Sequence, residues 1–305
     1  LHANKMLEFN FQSKRQITFM SSFTDSSKNI LYCYVAQKQS VAYSVVSRFY
    51  HPKFYETVSQ LFVGISGIQA PDILLQFSDI NHGKYDWTIE TKDRALTNLS
   101  PSNELCRLYS FLFTKLPIRS ILATVVAMLL DCRIVVISSN LSHLSDAAFA
   151  ILSFIYPIEW PLTFIPILPQ PLLTTLEAPF GYLIGIHSSY SHYLLDIDRY
   201  FVVNIDAHYT AVVGMEDFPD RISDFIEERS NTIENILSEC SPIFPFLLIQ
   251  KEIRRFVRDM FGVTFSIENS EHIHEIITQF NKWKSIPSEE FTALFSQTQL
   301  VTRII

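Results

Sequence analysis

This 305-residue sequence predicts an α/β fold, entered through an antiparallel α+β part and finished by helices. Three observations point there. From Ile134 to Ser189 the chain runs strand, apolar helix, proline-punctuated connection, strand, helix and strand. Short β-branched runs separated by helical segments mark a mainly parallel sheet buried on both faces. Residues up to about Glu90 instead alternate as an antiparallel sheet does, and beyond Asp217 the apolar spacing turns helical and stays so.

The elements follow in order. Ile17 to Phe23 and Asn29 to Val35 flank Thr24-Asp25-Ser26-Ser27-Lys28, whose turn-forming residues predict a hairpin. Val41 to Ser47 is the next strand, and Pro52 sits where a helix can begin, since a first turn does not need its N–H. Asn81-His82-Gly83-Lys84 reads as an exposed turn and Lys92 to Ser100 as a polar linker, which places a boundary there. The expected units are 1-95, 100-215 and 216-305.

Ser100-Pro101 fits a helix start, with Leu105, Leu108, Tyr109 and Leu112 on one face. Pro117 ends that helix, and a second begins near Ile118. The most apolar run, Ile121 to Leu130, meets Asp131 and Arg133 at once; it is too short to span a bilayer and reads as a buried helix. Asp217 to Cys240 places Ile222, Phe225, Ile226, Ile233, Ile236 and Leu237 at helical spacing with acids between them. Phe246 to Phe261 repeats the pattern and stops at Gly262, a suitable residue after a helix end.

Composition excludes several classes. With 48% hydrophobic residues the chain buries a sizeable core and is neither disordered nor fibrous. A net charge of -7 lacks the basic field that phosphate backbones require, so no nucleic-acid partner is expected, and it gains little from anionic lipid. Cys33, Cys106, Cys132 and Cys240 show no paired ligand spacing and read as small buried residues in a reducing, cytoplasmic setting. No secretory signal is visible, although a chain starting at Leu1 can have lost one. Asn98-Leu99-Ser100 and Asn140-Leu141-Ser142 match the glycosylation triplet, a coincidence in a cytosolic protein.

Covalent chemistry finds little support. The seven glycines form no phosphate-cradling run: Gly64 to Gly67 and Gly181 to Gly185 lack the required spacing and partners. His187-Ser188 with Asp206 and His208 suggests acid, base and nucleophile near strand ends, but no strained Gly-x-Ser-x-Gly elbow accompanies them. Asp196-Ile197-Asp198 has the look of a cation pair, yet between apolar segments it reads as a solvated turn. His272-Ile273-His274-Glu275 lacks the helical turn between histidines that a zinc protease supplies. Lys251, Arg254, Arg255 and Arg258 form a basic stripe, read as a solvated helix face. No cofactor, metal site or catalytic residue is expected.

Several anchors share one spacing: Asp131-Cys132-Arg133, the Val/Ile strand ending in Ser138-Ser139, a helix closing at Tyr156-Pro157 with Trp160, Ile165-Pro166 with Leu168-Pro169, Glu177-Ala178-Pro179, and Gly185-Ile186-His187-Ser188-Ser189. This pattern resembles the central segment of DENN domains. Asp131-Cys132-Arg133 departs from the family's usual Glu-Arg-Arg but keeps one acid and one base. Leu31 to Val35, Val41 to Tyr50 and the segment Phe54 to Phe62 resemble the upstream DENN part. Ile253 to Gly262 and Glu289 to Leu300, around a Thr-Gln pair, resemble the downstream part. Little precedes the first hairpin, so one or two early strands of the family pattern are expected to be missing or shortened.

The resemblance implies a longin-like antiparallel upstream lobe (1-95), a central α/β lobe (100-215) and a downstream helical part packed on it (216-305). It implies a guanine nucleotide exchange factor for a Rab-type small GTPase, with cytoplasmic placement and peripheral recruitment to endosomal or vesicle membranes through partners. Such a protein breaks no bond; it binds the switch regions of the GTPase in a cleft between two lobes. Open α/β sheets place that crevice outside the carboxyl ends of their strands. The expected contact residues there are Ser139, Asn140, His143, His187, Ser188, Asp206 and His208, joined by Tyr50, His51 and Lys53 from the upstream lobe. For each, a cap or core contact is an equal alternative; Asn140, Ser142 and His143 also fit a helix start. Two other roles stay open: GTPase activation through an exposed arginine such as Arg48, and a scaffold that leaves the nucleotide state unchanged.

Overall fold

The computed structural model describes residues 17–24, 30–38, 41–48, 55–56, 58–59, 88–90, 95–97, 101–156, 158, 160–214, 218, 220–261 and 298–299. Strands β1 (Ile17–Thr24), β2 (Ile30–Lys38) and β3 (Val41–Ser47) form an antiparallel sheet in that order, with Ile17 opposite Gln37 and Tyr32 opposite Ser47. The hairpin predicted around the Thr24 to Lys28 turn is therefore present. Tyr34, Val35 and Ala36 in the middle of β2 are buried. Tyr55 stacks on Tyr34 with ring centroids 4.8 Å apart, and Ser59 Oγ donates to the Tyr34 carbonyl at 2.9 Å.

A short hairpin pairs β4 (Thr88–Glu90), inside the stretch read as antiparallel sheet, with β5 (Ala95–Thr97), where the sequence suggested only a polar linker. Lys92-Asp93-Arg94 lies between its strands and masks the brief alternation on either side. Helices α1 (Pro101–Lys115) and α2 (Ile118–Leu129) then meet across Pro117, as its ring requires. From Ile121 to Leu129, α2 is buried almost all round, the condition under which an all-apolar helix is stable in a soluble core. Its end is a Schellman turn: Asp131 takes the left-handed conformation (φ 53°), its N–H donates to the Met128 carbonyl, and the Cys132 N–H reaches the Ala127 carbonyl.

The second sheet consists of β6 (Arg133–Ser138), β7 (Thr163–Ile165), β8 (Tyr182–His187), β9 (Tyr200–Asn204) and β10 (Tyr209–Val213), in the spatial order β10-β9-β6-β8-β7. β6 runs parallel to β8 and β9, β7 parallel to β8, and only β10 is antiparallel to its neighbour. Alternation along each strand divides its side chains between two cores. Ile134, Val136, Leu183, Phe201 and Val203 join the large core, whereas Val135, Ile137, Ile184 and Val202 join a smaller one on the opposite face.

Helix α3 (Leu141–Ser153) covers the large-core face and also packs on β1. Phe149 sits between the two sheets, its ring 6.2 Å from Tyr32 and 5.1 Å from Phe164, so one helix serves both lobes. Gly185 on β8 permits a close approach, since a Cβ there would lie 2.0 Å from the Pro166 carbonyl oxygen and 3.0 Å from Leu144 Cγ. The opposite face is covered by two 3₁₀ segments: Gln170–Glu177, where the sequence suggested ordinary helix, and Ser188–Asp196, which begins at residues read as a strand end. Pro169 and Pro171 bracket the start of the first and deny donors to a longer ladder.

Helices α4 (Asp220–Cys240) and α5 (Phe246–Phe261) close the described fold. Phe225 stacks on Phe256 at 5.3 Å, and Phe246 meets Tyr109 of α1 edge to face at 5.3 Å. Much of the basic stripe is occupied: Arg255 binds Glu252 (2.8 Å), Arg258 binds Asp259 (2.8 Å), and Arg254 lies over the Tyr156 ring. Asp196 and Asp198 lie exposed at the end of the second 3₁₀ segment and just before β9, as a solvated turn does. Pro52, Asn81 to Lys84, Gly262 and His272 to Glu275 lie outside the described residues. Among the described residues no single helix is long and apolar enough to cross a membrane.

Candidate functional site

Because β6, β8 and β9 are parallel, their carboxyl ends emerge on one rim, with Ser138 in register with His187 and Ile137 with Asn204. The β6–α3 turn and the β9–β10 turn then meet. Ser138 Oγ donates to Asp206 Oδ1 at 2.8 Å, and the Ser139 N–H donates to Asp206 Oδ2 at 2.6 Å. The Asn140 N–H returns to Ser138 Oγ at 3.1 Å. Asn140 itself caps α3, its Oδ1 accepting from the N–H groups of Ser142 (2.9 Å) and His143 (3.3 Å).

From β8, His187 reaches the same turn, Nε2 lying 3.0 Å from the Ser139 carbonyl oxygen. The other ring nitrogen, Nδ1, accepts from the Ser189 N–H at 3.2 Å and lies 2.7 Å from Ser189 Oγ. The imidazole is thus neutral with its proton on Nε2. Burial pushes its pKa below the ordinary histidine value, outweighing the Ser139 hydrogen bond and the Asp206 charge. For Asp206 burial acts against the charge, but the donors on Ser139 and Ser138 prevail, aided by His143, and hold the carboxyl below its usual range.

His208 takes the left-handed conformation (φ 59°), which histidine tolerates better than most residues, and its Nδ1 donates to the Lys115 carbonyl at 2.6 Å. The turn before it is fixed by the Ala207 N–H on Asn204 Oδ1 at 2.9 Å. His143 lies against the Phe111 ring, centroids 5.2 Å apart, and Ser188 opens the second 3₁₀ segment. The rim therefore gathers Ser139, Asn140, His187, Ser188 and Asp206 around one turn, with His143 on the first turn of α3 and His208 tied toward the end of α1. Tyr50, His51 and Lys53 lie outside the described residues. Ser138 and Ser189 were legible as strand-end residues, but not as the partners of Asp206 and His187. Among the described residues, no group of three or more His, Cys, Asp or Glu could hold a metal ion.

Asp206 is engaged by the donors of Ser138 and Ser139, and His187 spans the Ser139 carbonyl and Ser189, so these polar groups together form a fixed turn.

The DENN (AEX-3) domain matches residues 22–208, which is more than half of the chain and runs from β1 past this rim. Over 109 residues the chain is 37% identical to a Gibberella zeae protein called elicitor of plant defense protein 1, a stretch covering 36% of this chain and 9% of that one. It is 30% identical to myotubularin-related protein 5 of Caenorhabditis elegans over 164 residues, 50% of this chain and 9% of that protein. It is 24% identical to human DENN domain-containing protein 2B over 214 residues, 65% of this chain and 19% of that protein. The chain thus matches less than a fifth of the length of these relatives.

Proposed function

The chain belongs to the DENN (AEX-3) domain family, and on that premise we propose that it is a guanine nucleotide exchange factor for a Rab-type small GTPase. A GTPase holds GDP through magnesium and switch loops that have ordered and released states. A partner that prefers the released, nucleotide-free arrangement must weaken nucleotide binding by the factor of that preference, because the two equilibria are linked. No bond is broken, and the catalyst is a surface.

The contact surface proposed is the rim at Ser139, Asn140, His143, His187, Ser188, Asp206 and His208, with Tyr50, His51 and Lys53 from the upstream lobe. The observation that carries the reading is the reach of the family match over both the antiparallel sheet and the parallel one. Recruitment to a vesicle or endosomal membrane would run through the GTPase or other partners. The test is to load a panel of Rab GTPases with fluorescent GDP and add substoichiometric amounts of the chain. Faster GDP loss from one or a few members supports exchange. Faster phosphate release from GTP instead assigns an activating role, and binding without either assigns a scaffold.

A further inference from the structure

Ser139 is gripped by both of its backbone groups, and the two grips come from strands on opposite sides of β6. Its N–H donates to Asp206 at 2.6 Å, from the turn after β9, and its carbonyl accepts from His187 Nε2 at 3.0 Å, at the end of β8. His187 is oriented in turn by the Ser189 N–H on Nδ1. Asn140 is tied through Ser138 Oγ, which itself donates to Asp206. The N–H groups of Ser139, Asn140, Ser142 and His143 are all engaged, so the turn faces outward with a set backbone and presents side chains.

Asp206 is exposed and lies outside the ladder of β9, so the grip is peripheral to the core. Its consequence is order in a turn that would otherwise sample several conformers. We propose that Asp206 and His187 are positioning residues for the GTPase contact, pre-setting the β6–α3 turn so that Ser139, Asn140 and His143 meet the partner already ordered. This rests on the exchange-factor reading and refines it: Asp206 and His187 act through the turn. A binder competent for only part of the time has its apparent affinity reduced by that fraction. The loss is common to loaded and emptied GTPase, so it raises the concentration needed for half-maximal exchange and leaves the rate at saturation nearly unchanged.

The experiment compares the wild-type chain with Asp206→Ala, Asp206→Asn and His187→Ala, following fluorescent GDP release against chain concentration and amide exchange by NMR. In Asp206→Ala and His187→Ala the half-saturating concentration rises about tenfold, with the saturating rate within about twofold. Asp206→Asn, which keeps an acceptor for the Ser139 N–H, recovers most of that loss. The Ser139 amide exchanges about tenfold faster in Asp206→Ala, a readout that a general loss of stability would spread over the whole sheet. Should Asp206→Ala fail to fold, Asp206→Asn and His187→Ala carry the comparison. An active wild-type chain whose folded variants keep its half-saturating concentration, or lose saturating rate alone, overturns the positioning role. A wild-type chain that releases GDP from no GTPase removes the exchange reading and this role with it.

Discussion

Asp146 in the middle of α3 and Asp206 at its mouth each accept from a pair of donors, yet one is sealed in the protein and the other stands at its rim. Arg107 of α1 forks onto Asp146 at 2.6 and 2.9 Å and meets Glu104 at 3.4 Å. The acids are 8% and 2% exposed, so their charges are largely withdrawn from water, while the Arg107 side chain keeps 32% of its surface exposed. Burial acts against the guanidinium charge, but the Asp146 hydrogen bonds and the charges of Asp146, Glu104 and Glu56 outweigh it and raise the Arg107 pKa. Asp206 trades the same kind of bonds in partial contact with solvent. The buried cluster therefore holds the helices that join the lobes, and the rim cluster holds a turn.

That contrast orders the expected losses. The largest follows Arg107→Ala, which takes the guanidinium from the buried Asp146 carboxylate and costs about 3–5 kcal/mol of unfolding free energy in denaturant titration. A cost below about 1 kcal/mol would mean that water reaches the pair. Gly185→Ala comes next, at about 1–3 kcal/mol, because the added Cβ meets the Pro166 backbone and not a yielding side chain. An unchanged melting curve would show that this crossing is looser than the 2.0 Å approach implies.

Asp206→Ala is expected to cost only about 1 kcal/mol of stability, while changing exchange as described above. A loss as large as that of Arg107→Ala would erase the distinction between the two clusters. The smallest effect is that of pH. The depressed Asp206 pKa means that its contribution is present above about pH 4 and fades as pH falls through the folded value. His187, also depressed, contributes as the neutral ring above about pH 6.5 and loses this as pH falls further. Both signs agree, so acid loosens the turn, and the protection of the Ser139 amide relative to its intrinsic exchange rate should fall as pH drops below about 6.5 in the wild type but change less in His187→Ala.

Much of this architecture was legible in the residues. The bounds of α5, the break at Pro117 and the strands β1 to β3 followed from periodicity and proline chemistry. The shared rim followed too, since β-branched runs separated by helices require parallel strands and hence carboxyl ends on one side. What stayed hidden was pairing at a distance. Nothing in local pattern joins Arg107 to Asp146, or Ser139 to Asp206, because those partners are set by the crossing of α1 on α3 and by the geometry of the β9–β10 turn. The 3₁₀ segments eluded the pattern for a related reason: Gln170 to Glu177 carries helical apolar spacing, and its tighter winding goes with the prolines and the narrow cover it makes over β8.

The central claim is a preference for an emptied GTPase over a loaded one. Its most direct measurement is the affinity of the chain for the same Rab in two states, nucleotide-free and saturated with GDP and magnesium. Across a full panel, at least one member should bind more than tenfold tighter when empty, and the same factor should reappear as weakened GDP affinity in the complex. Equal affinities for the two states throughout the panel would contradict the account.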